Sequence, residues 1–402
     1  MIACATIVAK GYLSFARVLA RSFRAHHPAV PFFVLLADEV DGYFDPAQEP
    51  FAVKTLEELG IGDLVRLRFQ YAQQPFSYAL TPYLLGHLIK CGFSKVVFIK
   101  QEGLVLGSVA PLFERLDTAS IVLTPHLVAP LDGADRIARD LNILQSGTFN
   151  VGILGVSATE NTDQFLTWWQ DRVSTHCRHA VPEGMHYEQR WLDLAPTLFA
   201  GVHILRDPTY NIGHWSLPDR AITVEDETVL VDGRPCRLFR FSGYDPARPE
   251  WITKYSQRLT TDTVGPASLV FDRFRSALFD EGFRETSTWP YAYGAFDDGV
   301  PVPDISRDVY LKMSDTERFG DPLRTDGANS FARWLNEGVD GPAPREDTVT
   351  RLWRAVYDAR PDVRRAFPDI LGSDRQAFLR WTVHFGAAEH RVSREFLPHF
   401  AA

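Results

Sequence analysis

KVVFIKQEGLVLGSVAPLFERL, residues 95–116, opens on the β-favouring run Lys95–Ile99 and stops abruptly at the polar triplet Lys100-Gln101-Glu102. A helix near 109–116 follows, so the triplet sits where a buried strand surfaces. Upstream, residues 81–91 read as a helix feeding this strand. Residues 2–9 (IACATIVA) form an apolar strand, and the segment after it places Leu13, Ala16, Leu19 and Ala20 on one helical face. PFFVLLAD (31–38) is a second buried run ending in an acid, and LVRLRF (64–69) a third strand. Downstream come the strand SIVLT (120–124), a helix near 133–144, the strand FNVGILGV (149–156) and an amphipathic helix from about 160 to 178. This alternation predicts an α/β fold whose mixed sheet is covered by helices on both faces. Ligands of such sheets bind beyond the carboxyl ends of the strands.

The pattern changes after residue 220. AITVEDETVLVDGRPCRLFRF (221–241) predicts a hairpin turning at Asp232-Gly233, then another buried strand. Helices dominate from about 265, which divides the chain into an α/β domain over 1–264 and a mainly helical extension over 265–402, with the Pro/Gly stretch 289–305 and the loop around 337–346 as internal boundaries. The 402 residues are 45 % hydrophobic and 23 % charged with net charge -9, which is globular composition and argues against a nucleic-acid partner. Lys10, Arg17 and Arg21 interrupt the N-terminal apolar run before a signal core or a membrane span forms, and the four scattered cysteines read as reduced thiols; both features predict a cytoplasmic protein. The dinucleotide Gly-x-Gly-x-x-Gly, the P-loop and the Gly-x-Ser-x-Gly elbow are absent, GVSAT at 155–159 lacking the final glycine. His176, Cys177, His179 and His186 match no zinc spacing and read as a solvated helix end.

Polar residues directly follow several apolar strands: Asp38, Lys100-Gln101-Glu102, Asn150 before Gly152, and Arg240 before Phe241-Ser242-Gly243. Each alone suits a turn; four at one sheet edge make a site. The run 95–116, with SIVLTPHLVAPLDG (120–133), LQSGTFNVGILGVS (144–157), HYEQRWLDLAPTLFAGVHILRDPTYNIGHWSL (186–217) and RLFRFSGYDP (237–246), resembles bacterial GT-A-fold glycosyltransferases related to the glycogenin-like retaining enzymes. The resemblance spans about residues 1–250, and the tail segments WLNEG and DARPDVRRAFPDILGSDRQAFLRW resemble the extension such proteins carry. It implies a nucleoside-diphosphate sugar donor at the sheet edge and transfer to an acceptor nucleophile.

The departures carry chemical content. Lys100-Gln101-Glu102 stands where the resembled family has the Asp-x-Asp pair that grips a divalent ion, and Arg240 stands where relatives often place a third ligand, His. A cation beside a divalent ion costs about 4 kcal/mol or more per unit-charge pair at about 4 Å and an effective dielectric of about 20. The expectation is a transferase without a metal cofactor, Lys100 and Arg240 stabilising the diphosphate leaving group in its place. Two alternatives stand beside it: an inactive relative that binds a sugar nucleotide or glycan, and a manganese- or magnesium-dependent enzyme using Glu102. The resemblance assigns Thr6, Lys10, Asp38, Gln101, Glu102, Asn150, Gly152, Ser242 and Gly243 to the donor, and Glu188 and Gln189, at the family's Asp-Gln position, to the transferred sugar. His126, Asn211, His214 and Trp215 are acceptor-side candidates. No general base stands out, in keeping with retaining chemistry or with a thiol acceptor, and a small natural product joins glycans among the candidate O- or S-acceptors. A homodimer is a further expectation.

Overall fold

The structure, a computed structural model, describes residues 1–340 and 348–398. It divides into two compact units, one of Met1–Ile61 with Pro75–Pro290, the other of Gly62–Gln74 with the chain from Tyr291 onward. The first unit therefore runs past residue 264. Its helix Ala267–Asp280 buries Val270, Phe271, Phe274 and Leu278 in one cluster with Phe239 and Phe241, and Phe241 stacks on Phe274 with ring centroids 3.8 Å apart. Of the loop expected around 337–346, residues 341–346 lie outside the described residues.

The first unit is built on a seven-stranded sheet. Its strands are β1 (Ile2–Val8), β2 (Phe32–Leu36), β3 (Ala52–Lys54), β4 (Lys95–Ile99), β6 (Ile121–Pro125), β7 (Phe149–Ser157) and β8 (Val202–Ile204), with the short β5 (Gly103–Val105) outside it, and the order is β8-β6-β7-β4-β1-β2-β3. All neighbours pair in parallel except β7, which runs antiparallel to both β4 and β6. The fold is the mixed α/β sheet flanked by helices that the alternation predicts. Every residue of β7 is buried, which is why it reads as a nearly continuous apolar run interrupted by Asn150. The helix Leu13–His26 follows β1 and buries Leu13, Ala16, Leu19 and Ala20 against Cys4, Val34, Val97 and Ile153, the face expected.

One local expectation needs correction and another needs extending. LVRLRF at 64–69 is not a strand: Leu64–Gln70 is a helix whose start is capped by Asp63, the carboxylate accepting from Arg66 N at 3.1 Å. The alternation of apolar and Arg residues mimics a strand, but Phe69 instead packs edge-on to Tyr310 and Phe331 inside the second unit. The third strand is β3, too short to show a period. The Asp232-Gly233 turn does close a hairpin, between Thr228–Val231 and Arg234–Pro235. A second hairpin precedes it, pairing Ile222–Glu225 with Thr228–Val231 through Asp226 and Glu227, both at positive φ.

The second unit is helical. Asp304–Lys312, Phe331–Asn336, Arg351–Ala359 and Arg375–Trp381 accompany Leu64–Gln70. The buried Arg307 ties it together, donating to the carbonyls of Phe69 (2.6 Å), Tyr71 (3.1 Å) and Tyr293 (2.6 Å). Among the described residues no helix is long and apolar enough to cross a membrane.

Candidate functional site

The reversed direction of β7 assembles the site. Because β7 is antiparallel to β4, its first residues lie beside the carboxyl end of β4, and Lys100 N donates to Gly152 O at 3.0 Å. A further strand, β9 (Leu238–Arg240), pairs antiparallel with β5 and sets Arg240 opposite Gly103, while Phe241 N donates to Glu102 O at 2.8 Å. Segments about 50, 90 and 140 residues apart in the chain thus meet at one sheet edge.

Four charges converge there in two pairs. Lys100 Nζ is 2.8 Å from Glu188 Oε1 and 3.4 Å from the centroid of the Tyr78 ring. Arg240 Nη2 donates to Glu102 Oε2 at 3.3 Å. Arg240 is 2 % exposed and Glu188 fully buried. Arg240 Nε and Nη1 and Glu188 Oε2 are buried with no hydrogen-bond partner among the described residues. Unspent donors on a buried guanidinium are costly unless something arrives to accept from them. Burial lowers the Arg240 pKa, opposed first by Glu102 and then by Tyr78 and Glu188.

Gly152 is the seat of this arrangement. A Cβ there would lie 2.1 Å from Arg240 Nη1, 2.2 Å from Asn150 Oδ1 and 2.7 Å from Asn211 Oδ1. The guanidinium itself lies over the bare Cα. Asn150 Oδ1 accepts from Gly152 N at 2.6 Å, and its Nδ2 faces His126 Nε2 at 2.8 Å. Asn211, at φ 56, donates from Nδ2 to Pro125 O at 3.4 Å, and its Oδ1 has no partner among the described residues.

The acceptor-side candidates form a continuous aromatic run. His126 meets Trp215 edge-on at 5.2 Å, Trp215 meets His214 at 5.1 Å, and His214 tilts against Tyr255 at 5.5 Å. Burial holds the His126 pKa down to about 3, with His214 adding to the effect, and holds His214 down to about 4. Both imidazoles are neutral near pH 7. Ser242 O accepts from Thr253 Oγ1 at 2.9 Å, and Gly243, at φ +75, lies against Thr253 and the half-exposed Tyr255 ring.

The other assigned residues stand elsewhere along the edge or inside it. Lys10 Nζ lies between Asp38 Oδ1 (3.3 Å) and Asp41 Oδ2 (2.7 Å), and its backbone N donates to Asp38 Oδ2 (3.1 Å), closing the ends of β1 and β2. Thr6 is buried within β1. Gln101 is partly buried in the turn between β4 and β5. Gln189 Nε2 donates to Ser146 O at 2.8 Å. His179 and His186 face each other at 5.1 Å, and Cys177 is buried, its Sγ donating to Pro75 O. Tyr78 and Tyr255 carry no signal in the sequence, being single tyrosines in a helix and a loop.

The divalent ion implied by the sequence resemblance does not fit these residues. Two cations occupy the locus, and its one partly exposed acid, Glu102, already accepts from Arg240. Among the described residues no three His, Cys, Asp or Glu side chains are grouped to hold an ion.

No family profile matches the chain. It is 26 % identical over 266 residues to the Bacillus subtilis (strain 168) protein YfnF, described as uncharacterized, covering 64 % of this chain and 86 % of that one. It is 23 % identical over 195 residues to YfnD of the same organism, likewise described as uncharacterized, covering 47 % and 60 %. Among solved structures it is similar to the galactosyltransferase LgtC in complex with donor and acceptor sugar analogs, with TM-score 0.43, 15 % identity and coverage of 70 % of this chain and 96 % of that one. It is also similar to the glycosyltransferase GlyE of Streptococcus pneumoniae TIGR4, with TM-score 0.42, 16 % identity and coverage of 74 % and 67 %.

Proposed function

We propose that the chain is a glycosyltransferase of the GT-A type that moves a sugar from a nucleoside-diphosphate donor to an acceptor nucleophile with no divalent ion, by the retaining course its sequence resemblance implies. One observation carries this reading: at the carboxyl edge of an α/β sheet a buried guanidinium has two nitrogens, Nε and Nη1, that donate to no partner among the described residues. Such a group suits a diphosphate, whose oxygens accept charge-assisted hydrogen bonds and whose charge grows as the glycosidic bond breaks. Arg240 makes the direct contact. Lys100, held between Glu188 and Tyr78, contributes fixed positive charge nearby. Glu188 positions Lys100. His126, Asn211, His214 and Trp215 line the acceptor side, where neutral imidazoles and an indole suit an uncharged acceptor such as a glycan or a small natural product.

The test is a thermal-shift titration with UDP, GDP, ADP, CDP and dTDP, each in EDTA and in manganese, followed by donor turnover under both conditions. Stabilisation by at least one nucleotide in EDTA, with chelator-resistant turnover, supports the reading. Stabilisation that needs manganese overturns the metal-free part. Chelator-resistant binding without turnover of any donor overturns the enzyme and leaves a sugar-nucleotide-binding relative.

A further inference from the structure

We propose that Glu102 is an exchangeable counter-ion: it neutralises Arg240 in the empty site, yields that place to the donor diphosphate, and returns to expel the nucleoside diphosphate after transfer. The inference rests on the reading of Arg240 as the diphosphate contact and adds the residue that sets product release. The two ion pairs of the site are not equivalent. In the Lys100–Glu188 pair both side chains are enclosed, at 10 % and 1 % exposure, and Lys100 is further held by the Tyr78 ring. In the Arg240–Glu102 pair the guanidinium is 2 % exposed and the carboxylate 18 %. Glu102 is the one acid of the four-charge set with a route to water.

Its backbone is fixed while its carboxylate is not. Glu102 O accepts from Phe241 N at 2.8 Å, which pins the residue between β4 and β5. Among the described residues the carboxylate's hydrogen bond is that with Arg240 Nη2 at 3.3 Å, longer than the usual 2.7–2.9 Å or so of a charge-assisted N–H to carboxylate bond. Arg240 in turn keeps Nε and Nη1 unspent among the described residues, so a diphosphate engages two donors that Glu102 never uses and then competes for the third. Two anions on one buried guanidinium repel each other, and the more exposed one leaves. When the glycosyl group has gone, Glu102 competes with the product for the same guanidinium and weakens its hold. Glu102 thereby keeps a metal-free site from holding its leaving group too tightly.

The test compares wild type, Glu102→Gln and Arg240→Met by calorimetry in EDTA, using the nucleoside diphosphate that stabilises the wild type most, together with steady-state and single-turnover kinetics on its sugar. Glu102→Gln keeps the shape and removes the charge. The expected result is about tenfold tighter nucleotide binding, the order of magnitude for removing one like charge at close range. Turnover should fall while the single-turnover rate holds, with a burst of product in the first cycle. Unchanged or weaker nucleotide binding by Glu102→Gln overturns the counter-ion role while the Arg240 contact stands. Nucleotide binding by Arg240→Met equal to wild type removes the contact itself, and the counter-ion with it.

Discussion

Gly152→Ala is the sharpest test of the site, because one methyl group tests both the packing and the chemistry. The added Cβ would stand 2.1 Å from Arg240 Nη1 and 2.2 Å from Asn150 Oδ1, well inside van der Waals contact. An exposed arginine would swing away at little cost, but Arg240 is 2 % exposed and paired with Glu102. Either the guanidinium is pushed off Glu102 or Asn150 gives up its 2.6 Å bond to Gly152 N. Overpacking of this kind costs about 1–3 kcal/mol. At roughly 2–4 °C per kcal/mol for a unit of this size, the melting temperature should fall by about 2–12 °C. Nucleotide affinity should drop by about tenfold or more, since the two unspent donors lose their aim. Differential scanning fluorimetry and calorimetry in EDTA measure both, with Gly62→Ala as the control, a glycine whose added Cβ meets nothing within 4 Å. Wild-type stability and affinity in Gly152→Ala would refute the placement of Arg240 over this strand.

Arg240→Ala should weaken nucleoside-diphosphate binding by about 1.5–3 kcal/mol, read by calorimetry; Arg240→Lys should recover little, because an ammonium cannot present the same planar set of donors. Lys100→Ala leaves the Glu188 carboxylate buried without its cation and should cost about 3–5 kcal/mol of stability in denaturant unfolding. Lys100→Met combined with Glu188→Leu should recover much of that loss while abolishing turnover. The low pKa values of His126, about 3, and His214, about 4, mean that the unfolded chain binds more protons than the folded one between those values and about 6.5. Stability from these two groups is therefore full above about pH 6.5 and declines as the pH falls, by up to about 1.4 kcal/mol per pH unit per histidine; His126→Gln should flatten that slope in melts from pH 7 to pH 4.

Much of the sheet is legible because its strands are buried on both faces and end in polar residues. Lys100, Asn150 and Arg240 each interrupt an apolar run, and the fold brings them together. Their ion-pair partners are not legible in the same way. Glu188 lies 88 positions from Lys100 and Glu102 lies 138 from Arg240, distances that no local period reports. LVRLRF misleads because Arg alternates with apolar residues whether the segment is strand or helix, and only the Asp63 cap and the Tyr310 and Phe331 contacts decide it. Gly152 is visible as an interruption of a strand, yet its purpose depends on a guanidinium 88 residues later in the chain.

The interlocked pairs at the sheet edge also constrain how such a site changes over generations. Replacing Lys100 alone by a carboxylate would set it beside Glu188 without a counter-charge, and replacing Arg240 alone would strand Glu102. Any single replacement among the four therefore leaves one charge at the sheet edge without its counter-ion, so the two pairs change together or at a cost in stability.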